Sequence, residues 1–414
     1  MGAKVGAGDT APTLLFGAHD RHNFGDLLFA HVAASYLAGR TLIPAGLIER
    51  DLSAWGGFRV EAIAELSRRF AAAPVEIVHV GGEILTTTAW QAAVMLAGPD
   101  ELAGMIARFD ADPAGAHAHA VQRFGFGAAA PYVLGRELFP AARSIVFNAV
   151  GGADLERAEP ALKDEVFAKL ADADCLIVRD RATQAALAAA GIAAELAPDP
   201  VAVIGERFGA RIDEEMTKGE VASIRSRFPA GFVAVQFAAE CGDDATLVSL
   251  ADAFDAIAAE TGWGIVFFRA GSAPWHDDLE VYRRCAARLA QAAWQMFESL
   301  DIWQIVALIA SSQGFVGTSL HGHVVACAFA LPRLSFLPPS LVGHPNKLAA
   351  YLASWEMPEM PGVVGLDALA ESFLSACAVD RAARQRHARQ LAGLHHRTAV
   401  ASLSRIRSQC EPGQ

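Results

Sequence analysis

Cysteine, positive charge and long apolar runs are all scarce in this chain of 414 residues. The six cysteines are widely separated and include no CxxC pair, which predicts a reduced, cytoplasmic protein without a disulfide framework or a thiolate metal site. Lysine and arginine total 34 against 46 acidic residues, and the formal charge of −12 argues against nucleic acid as a partner. No apolar run approaches the roughly 20 residues that a membrane-spanning helix needs.

Hydrophobic residues make up 53% of the chain and charged residues 19%, a composition typical of globular proteins with large cores. At roughly 150 residues per domain, the length predicts two or three domains, and two is the simpler interpretation. The acidic character ends at residues 381–407, which contain seven arginines and no acidic residue. This stretch predicts a long helix that has a solvated face, braces the domains, or meets an anionic membrane lipid or substrate carrier.

Short apolar runs alternate with alanine-rich helical stretches along most of the chain. The runs expected to form strands are 13–16, 75–80, 144–150, 175–178, 232–237, 264–268 and 314–317. Continuous hydrophobicity is typical of strands that are buried on both faces of a parallel sheet. The sequence therefore predicts two α/β domains, at residues 1–210 and 225–378, followed by a basic helical tail at 379–414.

Ligands of open α/β sheets collect beyond the carboxyl ends of the strands, so the strand-to-helix turns hold the candidate site residues. In the turn HDRHNFGD, Asn23 and Asp26 are suited either to cap the next helix or to bind a hydroxyl, and Gly25 allows a ligand close to the backbone. The paired Gly81 and Gly82 of the GGE turn suit close ligand approach too, although ordinary tight turns share this pattern.

Two cationic turns are further candidates. Arg179 and Arg181 follow the run at 175–178, and the guanidinium fork matches a carboxylate or a phosphate. The alternative for Arg179 is an ion pair with Asp180 or Asp199. A later turn contains Arg269, His276 and Asp278, which favour substrate contact and solvated turn chemistry equally.

The most informative turn is GTSLHGH, between the strand GFVG and the helix VVACAFAL. Thr318, Ser319 and Gly322 place two hydroxyls and a glycine at a helix N-terminus, which favours an anion. His321 adds a titratable imidazole beside this N-terminus, so we favour a functional role for it. His323 lies further into the helix, so we expect it to be secondary to His321.

In this order, the motifs resemble the polysaccharide pyruvyl transferase family. The shared pattern is NFGD, a GGE turn, VRDRAT followed by APDP, and GTSLHGHVVACAFALP with a downstream lysine, from Asn23 to Lys347. The resemblance implies two Rossmann-like domains that face each other across a cleft, the GT-B arrangement. It also implies transfer of pyruvate from phosphoenolpyruvate to two hydroxyls of a sugar in a polysaccharide or glycan precursor, without a cofactor or a metal.

Roles follow from the resemblance residue by residue. His321 falls on the LHG histidine and is expected to do acid–base work or contact phosphate, while Arg179 falls on the VRD arginine and is expected to clamp the donor. The remaining donor-binding candidates are Asn23, Gly25, Asp26, Gly81, Gly82, Thr318, Ser319, Gly322, Arg181, Arg269 and Lys347. The acceptor-binding candidates are Glu83, His276 and Asp278.

One position departs from the family pattern, because Ser319 stands where an arginine commonly precedes the leucine of LHG. Arg181, Arg269 or Lys347 is expected to replace that cation, unless the donor differs or the member is inactive. Two other hypotheses therefore stay open: a GT-B glycosyltransferase that uses a nucleotide-sugar, and a non-catalytic scaffold. Peripheral contact with the inner membrane face and a homo-oligomer also stay open.

Overall fold

A computed structural model describes residues 11–408 of the chain. These residues form two β-sheets, and the first of them has eight strands. The strands are β1 (Thr13–Phe16), β2 (Leu42–Gly46), β3 (Arg50–Asp51), β4 (Arg59–Ala62), β5 (Val75–His79), β6 (Ala142–Val150), β7 (Cys175–Val178) and β8 (Glu195–Leu196). Their order is β3-β4-β2-β1-β5-β6-β7-β8, and every pair is parallel except β3 with β4.

The second sheet has six strands, all parallel. They are β9 (Phe232–Gln236), β10 (Gly264–Phe268), β11 (Trp294–Phe297), β12 (Gly314–Gly317), β13 (Arg333–Phe336) and β14 (Val363–Val364), in the order β11-β10-β9-β12-β13-β14. The seven predicted strands are confirmed, since each predicted run forms a strand. In β5, β9, β10 and β12 every residue is buried, which explains why most of their residues are apolar.

Helices cover both sheets. In the first half of the protein, which contains the eight-stranded sheet, they are α1 (Phe24–Tyr36), α2 (Ile63–Arg69), α3 (Ala89–Met95), α4 (Pro99–Phe109), α5 (Pro113–Phe124), α6 (Pro160–Ala171) and α7 (Arg181–Ala189). They continue as α8 (Ile204–Glu215), α9 (Gly219–Arg227), α10 (Asp244–Thr261), α11 (Leu279–Ala286), α12 (Ile302–Ser311), α13 (Leu320–Ala328), α14 (Lys347–Trp355), α15 (Leu369–Ala378) and α16 (Arg381–Ser408). Within residues 11–408, none of these helices is long and apolar enough to cross a membrane.

The charged segment between the sheets forms helices α8 and α9. Both helices pack against α12 of the second half. The Arg211 guanidinium lies 4.0 Å from the ring centre of Trp303, and the Gln304 side chain donates to the carbonyl oxygen of Glu215 over 3.3 Å. These contacts attach the segment to the second half, whereas the domain limits 1–210 and 225–378 stay a prediction of the sequence.

One hydrophobic core joins the two halves of the protein. It contains Leu28 of α1 and Val78 of β5 together with Ile305 of α12 and Val324 of α13. Because interiors pack as densely as organic crystals, a shared core holds the facing edges of the two sheets in a defined position.

The predicted C-terminal helix is confirmed by α16, which contacts both halves. Buried Arg384 donates from Nε to the carbonyl oxygen of Ala330 over 2.9 Å and from Nη1 to that of Val379 over 2.8 Å. His395 Nδ1 lies 3.1 Å from the carbonyl oxygen of Pro198 in the first half. The helix is therefore a brace, while four of its arginines remain exposed: Arg381, Arg386, Arg389 and Arg397. The predicted tail beyond Ser408 lies outside the described residues.

Candidate active site

A cavity of about 240 Å³ lies where the second sheet meets the turn that follows β1. Residues that follow β9, β10, β12 and β13 line it, so it lies beyond the carboxyl ends of these strands, where open α/β sheets bind ligands. A second hollow of about 420 Å³ lies beside Cys175 and Glu195. Those residues begin β7 and β8, so that hollow lies at the opposite end of its strands, and we assign the site to the first cavity.

Three helix N-termini converge on this cavity. The Asn23 side chain caps α1 by accepting the N–H of Gly25 over 3.1 Å. Ser319 caps α13 by accepting the N–H of Gly322 over 3.2 Å, and Asn346 caps α14 over 2.9 Å. All three caps line the cavity. Since a helix N-terminus carries partial positive charge, the cavity is suited to an anion even though Ser319 supplies no cation.

His321 lies in the first turn of α13 and forms part of the cavity wall. Its ring lies so close to the backbone of Gly25 that a Cβ there would overlap the imidazole. The edge of the ring also meets Phe29, with the ring centres 5.0 Å apart. Gly25 therefore makes room for His321, which corrects the expectation that it makes room for a ligand.

Asp199 fixes the other side of the imidazole. Its Oδ2 lies 3.6 Å from His321 Nε2 and accepts from Arg179 Nη1 over 3.1 Å. Burial alone raises the pKa of the Asp199 carboxyl, but the neighbouring His321 and Arg179 outweigh burial and lower the pKa. Asp199 is thus an anion beside His321, placed to stabilise the protonated imidazole.

Arg179 does not line the cavity. Only 1% of the residue is exposed, and its Nη2 donates to Glu83 over 2.6 Å while Nη1 binds Asp199. Burial alone lowers the pKa of the guanidinium, but these two carboxylates outweigh burial and raise it. The structure supports the alternative in which Arg179 forms an ion pair with Asp199, and it corrects the expectation of a donor clamp.

The GGE turn serves this buried ion pair. Glu83 accepts the N–H of Ala153 with Oε1 and binds Arg179 with Oε2, and it does not line the cavity in which its acceptor role was expected. Gly81 and Gly82 have φ values of +133° and +100°, and a Cβ on either would contact the ring of Phe29. These glycines therefore allow a strained turn and close packing of an aromatic ring, instead of a ligand.

Among the described residues that line the cavity, Lys347 is the one lysine or arginine. It is exposed to solvent, and desolvation by the residues around its ammonium lowers the pKa of this group. The expected cations Arg181 and Arg269 lie outside the cavity wall. Arg181 is exposed, and Arg269 donates to the carbonyl oxygen of Glu298 over 3.4 Å. Asp26 lies outside the wall too, 3.5 Å from Arg21.

The loop after β10 adds a histidine and a carboxylate to the wall. Asn23 Nδ2 donates to His276 Nε2 over 3.1 Å, because Asn23 Oδ1 already accepts backbone N–H groups. Burial lowers the pKa of His276 to about 4, so the ring is neutral at pH 7. Burial raises the pKa of Asp277 to about 7, although Gln236 and two backbone N–H groups donate to it. Asp278 is an exposed cap of α11, which corrects its expected acceptor role.

The other residues of the GTSLHGH turn mainly support the fold. Thr318 Oγ1 accepts the N–H of Ala238 over 3.0 Å at the cavity wall. A Cβ on Gly322 would overlap the ring of Phe315, so this glycine permits packing and corrects its expected donor contact. His323 is buried, its Nε2 lies 2.7 Å from Glu356 Oε2, and it does not line the cavity. Within residues 11–408, no group of His, Cys, Asp and Glu side chains is placed to hold a metal ion.

Comparison with family models decides the family. The model described as polysaccharide pyruvyl transferase matches residues 23–337. The chain belongs to the polysaccharide pyruvyl transferase family. Membership makes this protein a transferase, and a comparison with curated proteins returns no significant match.

Solved structures show the fold of this pyruvyl transferase family member. UDP-N-acetylglucosamine 2-epimerase from Rickettsia bellii matches with a TM-score of 0.51 and 12% identity over 96% of this chain and 97% of that one. The epimerase from Neisseria meningitidis, solved bound to UDP-GlcNAc, matches with a TM-score of 0.51 and 12% identity over 97% of this chain and 99% of that one. The predicted GT-B arrangement of two α/β units is therefore confirmed, and at this identity the likeness concerns the fold alone.

The cavity of this family member gathers only part of the predicted set. The predicted residues that line it are Asn23, His276, Thr318, Ser319, His321 and Lys347. Sequence reasoning missed Gln236, Glu240, Trp275 and Asp277, which line it as well. Trp275 and Asp277 are the direct neighbours of His276. The prediction that the loop around His276 contacts substrate was therefore the sequence feature that could have identified them. Which of its side chains face the cavity depends on the tertiary contacts described above.

Proposed function

We propose that this cavity binds phosphoenolpyruvate and that the protein transfers its pyruvate to two hydroxyls of a sugar in a polysaccharide or glycan precursor. The observation that carries the proposal is the convergence of three helix N-termini and Lys347 on the cavity that holds His321. Helix N-termini and an ammonium favour a small ligand with several negative charges. Phosphoenolpyruvate has a carboxylate and a phosphate on three carbons.

The size of the cavity also favours a small donor. Its volume of about 240 Å³ lies below the roughly 300–1,000 Å³ of sites that take drug-sized ligands. A nucleotide-sugar is much larger than phosphoenolpyruvate, so the second hypothesis needs a wider cleft. We therefore prefer the pyruvyl donor.

The proposed reaction requires two proton movements. One acceptor hydroxyl adds to C2 of the donor while C3 gains a proton. The second hydroxyl then replaces the phosphate at C2, and its proton leaves with the phosphate. Two O–H bonds, the C=C π bond and the bond from C2 to the phosphate oxygen break, while two C–O bonds, one C–H bond and one phosphate O–H bond form. His321 is the group we propose to move a proton, and Asp199 stabilises its charged form.

Incubation with phosphoenolpyruvate and a panel of glycosides tests the proposal. We expect release of phosphate together with an acceptor that is heavier by one pyruvate ketal, measured by mass spectrometry. In thermal unfolding, phosphoenolpyruvate at 100 times its Kd should stabilise the protein by about 2.7 kcal/mol. Stabilisation by UDP or GDP without any by phosphoenolpyruvate would favour the nucleotide-sugar hypothesis instead.

Replacing Lys347 by methionine should weaken donor binding. A hydrogen bond to a charged group contributes about 1.5–3 kcal/mol, so we expect KM for phosphoenolpyruvate to rise about ten-fold or more. Stability should not fall, because Lys347 begins α14, where a cation opposes the helix dipole. The measurement is steady-state kinetics beside thermal unfolding. Arg269→Met is the matched control, and an equal KM in both variants would contradict the role of Lys347.

A further inference from the structure

Trp275 combines two costly features at the mouth of the cavity. Its φ of +62° is in the left-handed region, which is strained for a bulky side chain. The residue is also 47% exposed, although an indole gains most from burial. A tryptophan at this position therefore favours neither the backbone conformation nor the packing of the free protein. Contact with a bound molecule would explain why it is there.

The backbone around Trp275 is held firmly from both sides. The carbonyl oxygen of His276 accepts the N–H of Ala239 over 3.1 Å, which joins this loop to the residues after β9. Asp277 accepts the N–H groups of Ala270 and Gly271 and closes the loop on itself. The indole therefore lines the cavity from a fixed backbone position.

Two unpaired hydrogen-bond acceptors share this wall. Glu240 is exposed at the cavity wall, and among the described residues its carboxylate has no side-chain hydrogen bond or ion pair. Gln236 is 2% exposed and donates with Nε2 to Asp277, which leaves its buried Oε1 without a partner among them. An anionic group is repelled by Glu240, so the ligand at this wall is one that donates hydrogen bonds.

We propose that Trp275, Glu240 and Gln236 form the subsite for a neutral hexopyranose unit of the acceptor. A pyranose has an apolar C–H face that packs on an aromatic ring and hydroxyls that donate to carboxylate and amide oxygens. The subsite rests on the proposed function, because it places the acceptor hydroxyls in the cavity that holds His321 and the donor. It also replaces Glu83 and Asp278 as the residues that recognise the acceptor.

Kinetic and binding measurements on Trp275→Ala and Glu240→Gln test the subsite. The probes are methyl hexopyranosides of the gluco, galacto and manno series, with the best acceptor used for kinetics. We expect Trp275→Ala to raise the acceptor KM at least ten-fold and Glu240→Gln several-fold, while KM for phosphoenolpyruvate changes less than two-fold. Trp294→Ala is the matched control, since that tryptophan is 37% exposed at the amino end of β11, away from the cavity. An unchanged acceptor KM in Trp275→Ala would overturn the subsite.

Stability separates this role from a structural one. Glycine adopts positive φ without strain, so Trp275→Gly should melt at the same temperature or higher while it loses the hexopyranoside. A lower melting temperature with unchanged sugar binding would overturn the proposal, as would loss of UDP binding in place of sugar binding. Saturation-transfer NMR with the same glycosides tests the subsite even if no pyruvyl transfer is detected, so its failure and that of the proposed reaction are distinguishable.

Discussion

The variant His321→Ala should lower kcat for pyruvyl transfer by about 10²–10⁴, the usual contribution of a general acid–base group. The physical reason is position: the ring lies on the cavity wall between the backbone of Gly25 and the buried carboxylate of Asp199. Phosphate release from phosphoenolpyruvate in the presence of a saturating acceptor measures the effect.

Two controls accompany this experiment. Binding of phosphoenolpyruvate, followed by thermal shift, should persist in His321→Ala, because the helix N-termini and Lys347 remain. His323→Ala removes a neighbouring histidine that is paired with Glu356, and its main effect should be on stability. Full activity of His321→Ala would remove this histidine from the mechanism.

The variant Arg179→Met should lower the free energy of unfolding by about 3–5 kcal/mol, because it leaves one buried and one partly buried carboxylate without their cation. Asp199 and Glu83 both bind this guanidinium, and Asp199 is completely buried. The free energy of unfolding of a protein is only about 5–15 kcal/mol, so this loss is a large share of the total stability. The urea midpoint, followed by circular dichroism, measures the change.

Arg181→Met is the matched control for this prediction. Arg181 is exposed, so its replacement should change stability by no more than about 0.5 kcal/mol. The double variant Arg179→Met with Glu83→Gln removes one of the stranded charges and should recover part of the loss. An unchanged urea midpoint with a raised KM for phosphoenolpyruvate would instead restore Arg179 as a donor clamp.

The strands that sequence reasoning identified and those it missed differ in burial and length. β9 and β10 are buried at every residue, so their sequences are apolar apart from Gln236 at the end of β9. β3, β8 and β14 have two residues each, which is too short for any periodicity. β13 was missed because buried Arg333 begins it, and Glu356 of a distant segment neutralises that charge.

The glycines of the candidate site show a similar limit. The sequence predicts that a ligand approaches Gly25, Gly81 and Gly82 closely. The structure instead places His321 against Gly25 and Phe29 against Gly81. A glycine in the sequence suggests that there is no room for a Cβ at that position. It does not show which residue from elsewhere in the chain occupies the space.

The sequence by itself determined the α/β class, most of the buried strands, the C-terminal helix and several of the turns that line the cavity. These features follow from local patterns of burial, capping and backbone freedom. Tertiary structure alone decided which charges remain available. Arg179 forms an ion pair with Glu83, 96 residues away in the sequence, so its charge is neutralised. Lys347, in contrast, lines the cavity. Ion pairing in a buried site depends on long-range approach, and local sequence does not encode that distance.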